Sequence, residues 1–304
     1  MSPILFGIQG SGPLVGGVPE PGHFTRVARA AEEAGFDSLW AGDHISFHEP
    51  LLDQTVALSV FAAHTDRIAL GAGVVILPLR TPALVARTFA SLDYLSGGRT
   101  ILGVGVGGEH PKDFEAVGVP VRERGARTDE AMLALRALFS EPEASVAGRY
   151  YVFDGISINP RPVQPGGPPL WVGGRSDAAL RRAARLGDGW IPLWVSPERY
   201  ARGLDALRAE ANGRELTPAV VLPSLVDGTV EEARLYLSRR YGSEFSTHAI
   251  ERYCLTGSPA QCAERVAEYV EAGAQHVVLH PAVEPGGLLG QIELSAEVSL
   301  AAAR

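Results

Sequence analysis

Short runs of β-branched and other apolar residues alternate with longer amphipathic stretches along the whole chain, and this alternation constrains the fold more than any other feature. The runs are Ile4 to Gln9, Ser38 to Ala41, Ile68 to Val75, Thr100 to Val106, Leu170 to Gly173, Gly189 to Pro192, Ala219 to Val226 and His276 to His280. Several are apolar almost throughout, as strands covered on both faces must be. Repeated strand–helix units imply a parallel sheet, either doubly wound or closed. Eight strands with a terminal helix over Leu288 to Ala302 favour closure into a (β/α)8 TIM barrel, and at 304 residues the whole chain, 1–304, reads as one domain.

The helices carry their own punctuation. Phe24 to Ala34 stops at Gly35. Thr81-Pro82 opens a helix that Ser96-Gly97-Gly98 ends, with Thr81 expected to cap and Pro82 at the first position, where a missing N–H costs nothing. Ser196-Pro197 repeats the device before Tyr200, Leu204, Leu207 and Ala211, and Ser258 to Gln261 spells a capping box. Two stretches exceed ordinary loops, Ser140 to Pro169 after the fourth strand and Asp227 to Gly257 after the seventh. Both are expected at the active-site mouth, with Tyr150, Tyr151, Phe153, Tyr241 and Phe245 as candidate apolar walls.

Charge and cysteine content narrow the function classes. The net charge of −8 and the lack of a basic patch argue against nucleic acid as a partner. Lys112 is the only lysine among 27 basic residues, a bias assigned to genome composition. Cys254 and Cys262 follow no disulfide or zinc spacing, which suits a reducing compartment. No apolar run is long enough to span a membrane and no leader pattern opens the chain, so a cytoplasmic protein is expected.

In a barrel the chemistry gathers where strands end. Asp43-His44 after the second strand pairs a proton carrier with a neighbour able to set its tautomer, against the plainer reading of a surface loop. A metal reading with His48 and Asp53 lacks a His-x-His on the first strand, and no metal is expected. Gly71 and Gly73 in the third strand would admit either a planar ring or a neighbouring backbone. Gly103, Gly105 and Gly108 match Gly-x-Gly-x-x-Gly, but Glu109-His110-Pro111 follows, and Pro111 is expected to interrupt the helix that a dinucleotide fingerprint requires. Gly173-Gly174-Arg175-Ser176 runs into a helix, which makes a phosphate cradle or a plain capped turn. Arg80 and Arg87 read as solvated helix-surface residues, with a phosphate contact as the alternative.

Taken together, Ala31 to Trp40 with Asp43-His44, Leu77 to Pro82, Leu92 to Arg99, Gly103 to Gly107, Leu170 to Gly174, Arg185 to Trp190 and Ala272 to Ala274 resemble the luciferase-like flavin and deazaflavin oxidoreductases, which are (β/α)8 barrels. Arg122 to Glu130 and Asn159 to Gln164 resemble the branch dependent on coenzyme F420. The resemblance implies hydride transfer between the deazaflavin C5 and a carbon of a small-molecule substrate, with FMNH2-dependent oxygenation as the alternative. It places a non-prolyl cis peptide at Gly73-Val74 beneath the ring, the cofactor along Gly105 and Gly107, and its phosphate at Gly173, Gly174, Arg175 and Ser176. It makes His44 the acid/base, Asp43 its orienting partner and Glu109 a further catalytic carboxylate, and it implies a homodimer. His48 stands where the family's sugar-phosphate dehydrogenases have tryptophan, so that substrate is not implied. A metal-dependent hydrolase and a non-catalytic cofactor carrier are the rival classes.

Overall fold

A computed structural model describes residues 3–303. Its strands are β1 (Leu5–Ser11), β2 (Ser38–Ala41), β3 (Ala69–Ile76), β4 (Thr100–Gly105), β5 (Ala144–Ala147), β6 (Val152–Ile156), β7 (Leu170–Gly173), β8 (Gly189–Ile191), β9 (Thr217–Val226), β10 (Leu255–Gly257) and β11 (His276–Pro281). Eight of them form a closed parallel barrel in the order β1-β2-β3-β4-β7-β8-β9-β11. Closure runs through Leu5 opposite His276 on one side and Gly189 opposite Thr217 on the other. The eight apolar runs are these eight strands, with ends shifted by at most two residues. A (β/α)8 TIM barrel is therefore the fold.

Two cores hold it. The larger lies between the outer strand faces and the helices, where Ile8, Leu39, Leu70, Leu102 and Val172 meet Val27, Phe61, Phe89 and Leu135. The smaller plugs the barrel interior and contains Trp40, Trp171, Ile191, Ala219 and Val278. The Trp40 and Trp171 rings are 5.5 Å apart, and each presents itself edge-on to His276. Trp40 Nε1 donates to Ser38 Oγ at 2.7 Å, and that oxygen meets His276 Nε2 at 2.6 Å, so these three buried polar atoms are paired. Gly71 makes room for it: a Cβ there would stand 2.2 Å from the Trp40 ring. At this glycine the close neighbour is the chain's own indole, rather than a ligand ring or a backbone.

The helix signals divide. The Pro82–Ser96 helix starts and stops as expected, yet the Thr81 side chain makes no capping bond. The Ser196 and Ser258 caps form, the latter as a full capping box, and Thr229 with Glu232 makes a second box. Pro111 corrects an expectation. It occupies the first position of a short helix, Pro111–Ala116, rather than interrupting one.

The first insertion also departs from expectation. Val163 and Gln164 donate their amides to Asp93 Oδ2 at 2.8 and 3.0 Å, and Gln164 Nε2 donates to Thr100 O at 2.8 Å. Thr100 begins β4, so this segment lies at the N-terminal end of the barrel, away from the strand ends that face the mouth. The reason is directional: it connects a helix to the next strand, and such connections run along the far end. Its hairpin, β5 with β6, packs Tyr150, Tyr151 and Phe153 against the outer core. The second insertion leaves β9 at the mouth and returns through the helices Val230–Tyr241 and Thr247–Tyr253 to β10, which pairs with β9 outside the barrel.

Candidate active site

At the C-terminal strand ends lies a cavity of about 380 Å³. Its lining includes all the residues to which the resemblance gave a catalytic or cofactor role: Asp43, His44, Gly73, Val74, Gly105, Gly107, Glu109, Gly173, Gly174, Arg175 and Ser176. Strand ends distant in sequence converge there because all eight strands are parallel.

The loop after β2 carries the imidazole. His44 Nδ1 lies 2.9 Å from Asp113 Oδ2, and the other oxygen of the same carboxylate accepts the amides of Ile45 and Ser46 at 2.9 and 2.6 Å. Asp113 is thus a fixed anion that holds both the ring and its loop. With Nδ1–H donated to Asp113, the neutral ring keeps its acceptor nitrogen, Nε2, for a ligand. Phe47 stacks on the ring at 4.6 Å and His110 meets it edge-on at 4.8 Å. Burial, aided by the nearby His44, lowers the His110 imidazole from its ordinary value, while Asp113 and Glu109 oppose this.

Asp43 does not orient His44, which corrects the expected pairing. Its carboxylate faces the opposite way and takes Arg80 through both oxygens at 2.7 and 2.6 Å, with the Ile76 amide at 3.0 Å. Burial raises the Asp43 carboxyl, against which Arg80 and the Ile76 amide pull it down. Arg80 is accordingly not a solvated residue: it ties the loop after β2 to the end of β3. Arg87 is exposed as expected. Glu109 reaches the rim as an exposed carboxylate. His48 Nε2 bonds to Arg239 O at 3.0 Å and Asp53 caps the helix Gln54–Ala63, so they do not converge with His44 as metal ligands.

The floor of the cavity is shaped by glycine. The Gly73–Val74 peptide is cis, at the position the resemblance indicated. A Cβ at Gly105 would stand 2.5 Å from Val74 Cγ2, and one at Gly173 would stand 3.2 Å from Val74 Cγ1. These two glycines therefore seat the Val74 side chain between them. Gly107 turns the chain with φ of 58°.

On the side of the mouth formed by β7, Gly174 with φ of 104° swings the chain into the helix Asp177–Leu186. Ser176 Oγ accepts the Ala179 amide at 3.3 Å, so the hydroxyl is the cap. The other amides of that first turn have no intrahelical acceptor, and the turn also carries the Asp177 side chain. Arg175 is exposed and donates to Leu193 O at 3.2 Å.

Several lining residues escaped the sequence reading. Trp194 follows β8 and could have been found by the strand-end rule. It holds a left-handed φ of 59°, uncommon for a bulky residue, and stacks on Phe245 at 5.0 Å. Tyr241 meets the same indole edge-on at 5.7 Å, so two of the five candidate wall aromatics belong to the mouth. Asp113 and Arg240 had no such signal, since both sit on helices whose placement is tertiary. Both cysteines are free and buried. No helix among the described residues is long and apolar enough to cross a membrane.

The cavity, its cis peptide and its glycine-seated floor are accompanied by clear kinship. The model of the luciferase-like monooxygenase family matches residues 4–246. A curated relative, an F420-dependent glucose-6-phosphate dehydrogenase of Kineococcus radiotolerans, is 32% identical over 299 residues, covering 86% of this chain and 87% of the relative. Among solved structures, an F420-dependent secondary alcohol dehydrogenase in complex with an F420-acetone adduct superposes with a TM-score of 0.84 at 20% identity, over 99% of each chain. The monooxygenase RslO1 of Streptomyces bottropensis gives 0.83 at 24% identity, over 98% of this chain and 99% of that one. These two likenesses are of fold. The family model and the curated relative go further, and the chain belongs to the luciferase-like monooxygenase family.

Proposed function

We propose that this protein is an F420-dependent oxidoreductase that moves a hydride between the deazaflavin and a carbon of a small organic substrate, with His44 exchanging the accompanying proton. The observation that carries the reading is the His44–Asp113 pair, which presents a free imidazole nitrogen to a cavity floored by Gly73-Val74. The F420-dependent relative that spans most of the chain supports the cofactor.

The residues present fit such a group. The floor around Val74 offers a side-chain-poor face to a flat ring, because Cβ atoms at Gly105 and Gly173 would collide with Val74 or crowd it. Open amides at the start of the Asp177–Leu186 helix, with Arg175 beside them, suit a phosphate. When bound, the deazaflavin supplies or accepts the hydride at C5. His44 Nε2 takes the hydroxyl proton of an alcohol as its C–H is oxidised, or returns it when a carbonyl is reduced. The Asp113 carboxylate offsets the positive charge that the ring gains. Asp43 and Arg80 hold the loop that positions His44, and Glu109 stands at the rim as a second proton acceptor.

The test is a titration of oxidised F420 into the purified protein, followed by absorbance and fluorescence, with FMN in parallel. Saturable F420 binding that Gly174→Val weakens is expected. Tight FMN binding without F420 affinity would replace this reading with the FMNH2-dependent monooxygenase. The resemblance also leads us to expect a cytoplasmic homodimer acting on a small molecule, which light scattering checks for assembly.

A further inference from the structure

We propose that Arg240 and His280 form a carboxylate-binding subsite across the cavity from the phosphate turn, so that the substrate carries a carboxylate. This rests on the oxidoreductase reading above and specifies the substrate class for the same cavity.

Arg240 lies near the end of the Val230–Tyr241 helix and is 5% exposed. Its guanidinium forms no ion pair among the described residues. Glu49 and Glu284, the carboxylates that act on the neighbouring Tyr236, are engaged by the adjacent Arg239 at 3.1 and 3.7 Å. Its neighbours are the Tyr236 phenol, the Tyr241 ring at 5.9 Å and the Gly12 backbone. A buried guanidinium without a counter-ion is costly, and a ligand anion would remove that cost.

His280 shares this wall at the end of β11, and its Nε2 is buried without a hydrogen-bond partner among the described residues. Burial, with Arg240 adding to it, holds the imidazole well below its ordinary value. The ring is thus neutral, and with its proton on Nε2 it is a donor beside the guanidinium fork.

Position and charge select the occupant. Around the barrel β1 and β11 are adjacent, whereas β7 stands four strands from β1, on the opposite side. An anion at Arg240 is therefore separate from a phosphate at the Asp177–Leu186 helix. Two arginines line the cavity, Arg175 at the phosphate turn and Arg240 here. The sole lysine, Lys112, is exposed and paired with Glu115 at 2.6 Å. One guanidinium with a neutral imidazole balances one negative charge, and its planar fork matches the two oxygens of a carboxylate. A phosphate dianion would keep an unbalanced charge.

Gly12 provides a second handle. A Cβ there would stand 2.5 Å from Arg240 Nη2, so Gly12→Ala displaces the guanidinium while leaving its charge in the chain.

Acetate, butyrate and benzoate, their matching amides, and inorganic phosphate are titrated calorimetrically into the protein with and without F420. At least one carboxylate is expected to bind tenfold or more tightly than its amide. Arg240→Gln should abolish that difference, Gly12→Ala should reduce it several-fold, and Arg240→Lys should retain part of it. Should Arg240→Gln fail to fold, as read by circular dichroism, the Gly12→Ala and Arg240→Lys titrations decide. Carboxylate discrimination that survives these substitutions, wild-type protein that does not discriminate, or phosphate bound more tightly than every carboxylate would overturn the proposal. Loss of F420 affinity in Arg240→Gln would overturn it too, since Arg240 would then serve the cofactor. Carboxylate discrimination in a protein that binds no F420 would uphold the subsite and sink the cofactor reading alone.

Discussion

His44 is oriented by Asp113, 69 residues away in sequence, through a 2.9 Å contact between Nδ1 and a carboxylate oxygen. The same carboxylate holds the loop amides of Ile45 and Ser46, so one buried anion sets both the ring and the path of the backbone beneath it. Asp113→Asn keeps the size but loses the charge and allows the wrong tautomer. Turnover should fall about 10- to 100-fold with F420 affinity unchanged, as steady-state kinetics and cofactor titration would show. An unchanged turnover would mean that Asp113 only holds the loop.

His44→Gln removes the imidazole proposed to carry the proton and leaves the floor of the cavity alone. We expect kcat/KM to drop by about 10²- to 10⁴-fold, the range typical of a positioned acid or base. The dissociation constant for F420 should stay within about twofold, because the ring contacts proposed above lie on β3, β4 and β7.

Gly105→Ala places a Cβ 2.5 Å from Val74 Cγ2. Val74 must move, at a cost of about 1 to 3 kcal/mol of stability. The same shift raises the floor under the cofactor, so F420 binding should weaken as the urea midpoint falls. A loss of stability with intact cofactor affinity would show that Val74 does not touch the ring.

Arg80→Met leaves the buried Asp43 carboxylate without its partner, which should cost about 3 kcal/mol at pH 8. Without Arg80, burial pushes the Asp43 carboxyl up with only the Ile76 amide and the nearby His44 to oppose it. The folded state then holds a proton that the unfolded chain has released, which favours folding as the pH falls. The deficit relative to wild type should therefore shrink between pH 8 and pH 5, and Arg80→Met/Asp43→Asn should recover part of it. Denaturant midpoints at the two pH values are the measurement.

His276 is pushed down to about 4 by burial in the barrel plug. Unfolded, it takes a proton near its ordinary value of about 6.5, so the unfolded state binds more protons between those values. Stability should consequently be lost as the pH falls from about 6.5 toward 4, by roughly 3 kcal/mol from this residue. Urea midpoints of His276→Gln should decline less steeply than those of wild type over that window. An equal slope would place the proton uptake elsewhere, His280, His110 and His23 being the other histidines that burial lowers.

Much of this architecture was legible before any coordinates, because its signals are local. Ser38–Ala41 and Leu170–Gly173 are strands at the residues expected, and Ser176, Ser196 and Ser258 cap the helices they precede. The strand-end rule gathered His44, Glu109 and Gly173 into one cavity without any knowledge of distance. What failed was pairing. Asp43 adjoins His44 in sequence, yet consecutive residues of an extended loop point apart, and Asp43 turned to Arg80.

Periodicity and punctuation by themselves thus determined eight parallel strands and which of their ends carry the candidate residues, since hydrophobic alternation and capping depend only on near neighbours; closure was favoured by the strand count and by the family resemblance. Tertiary structure alone decided that Asp113 serves His44, that Ser140 to Pro169 folds at the far end of the barrel, and that Arg240 arrives beside His280 with no ion-pair partner among the described residues. Those outcomes depend on where separate helices come to rest against the sheet, and no short-range pattern encodes that geometry.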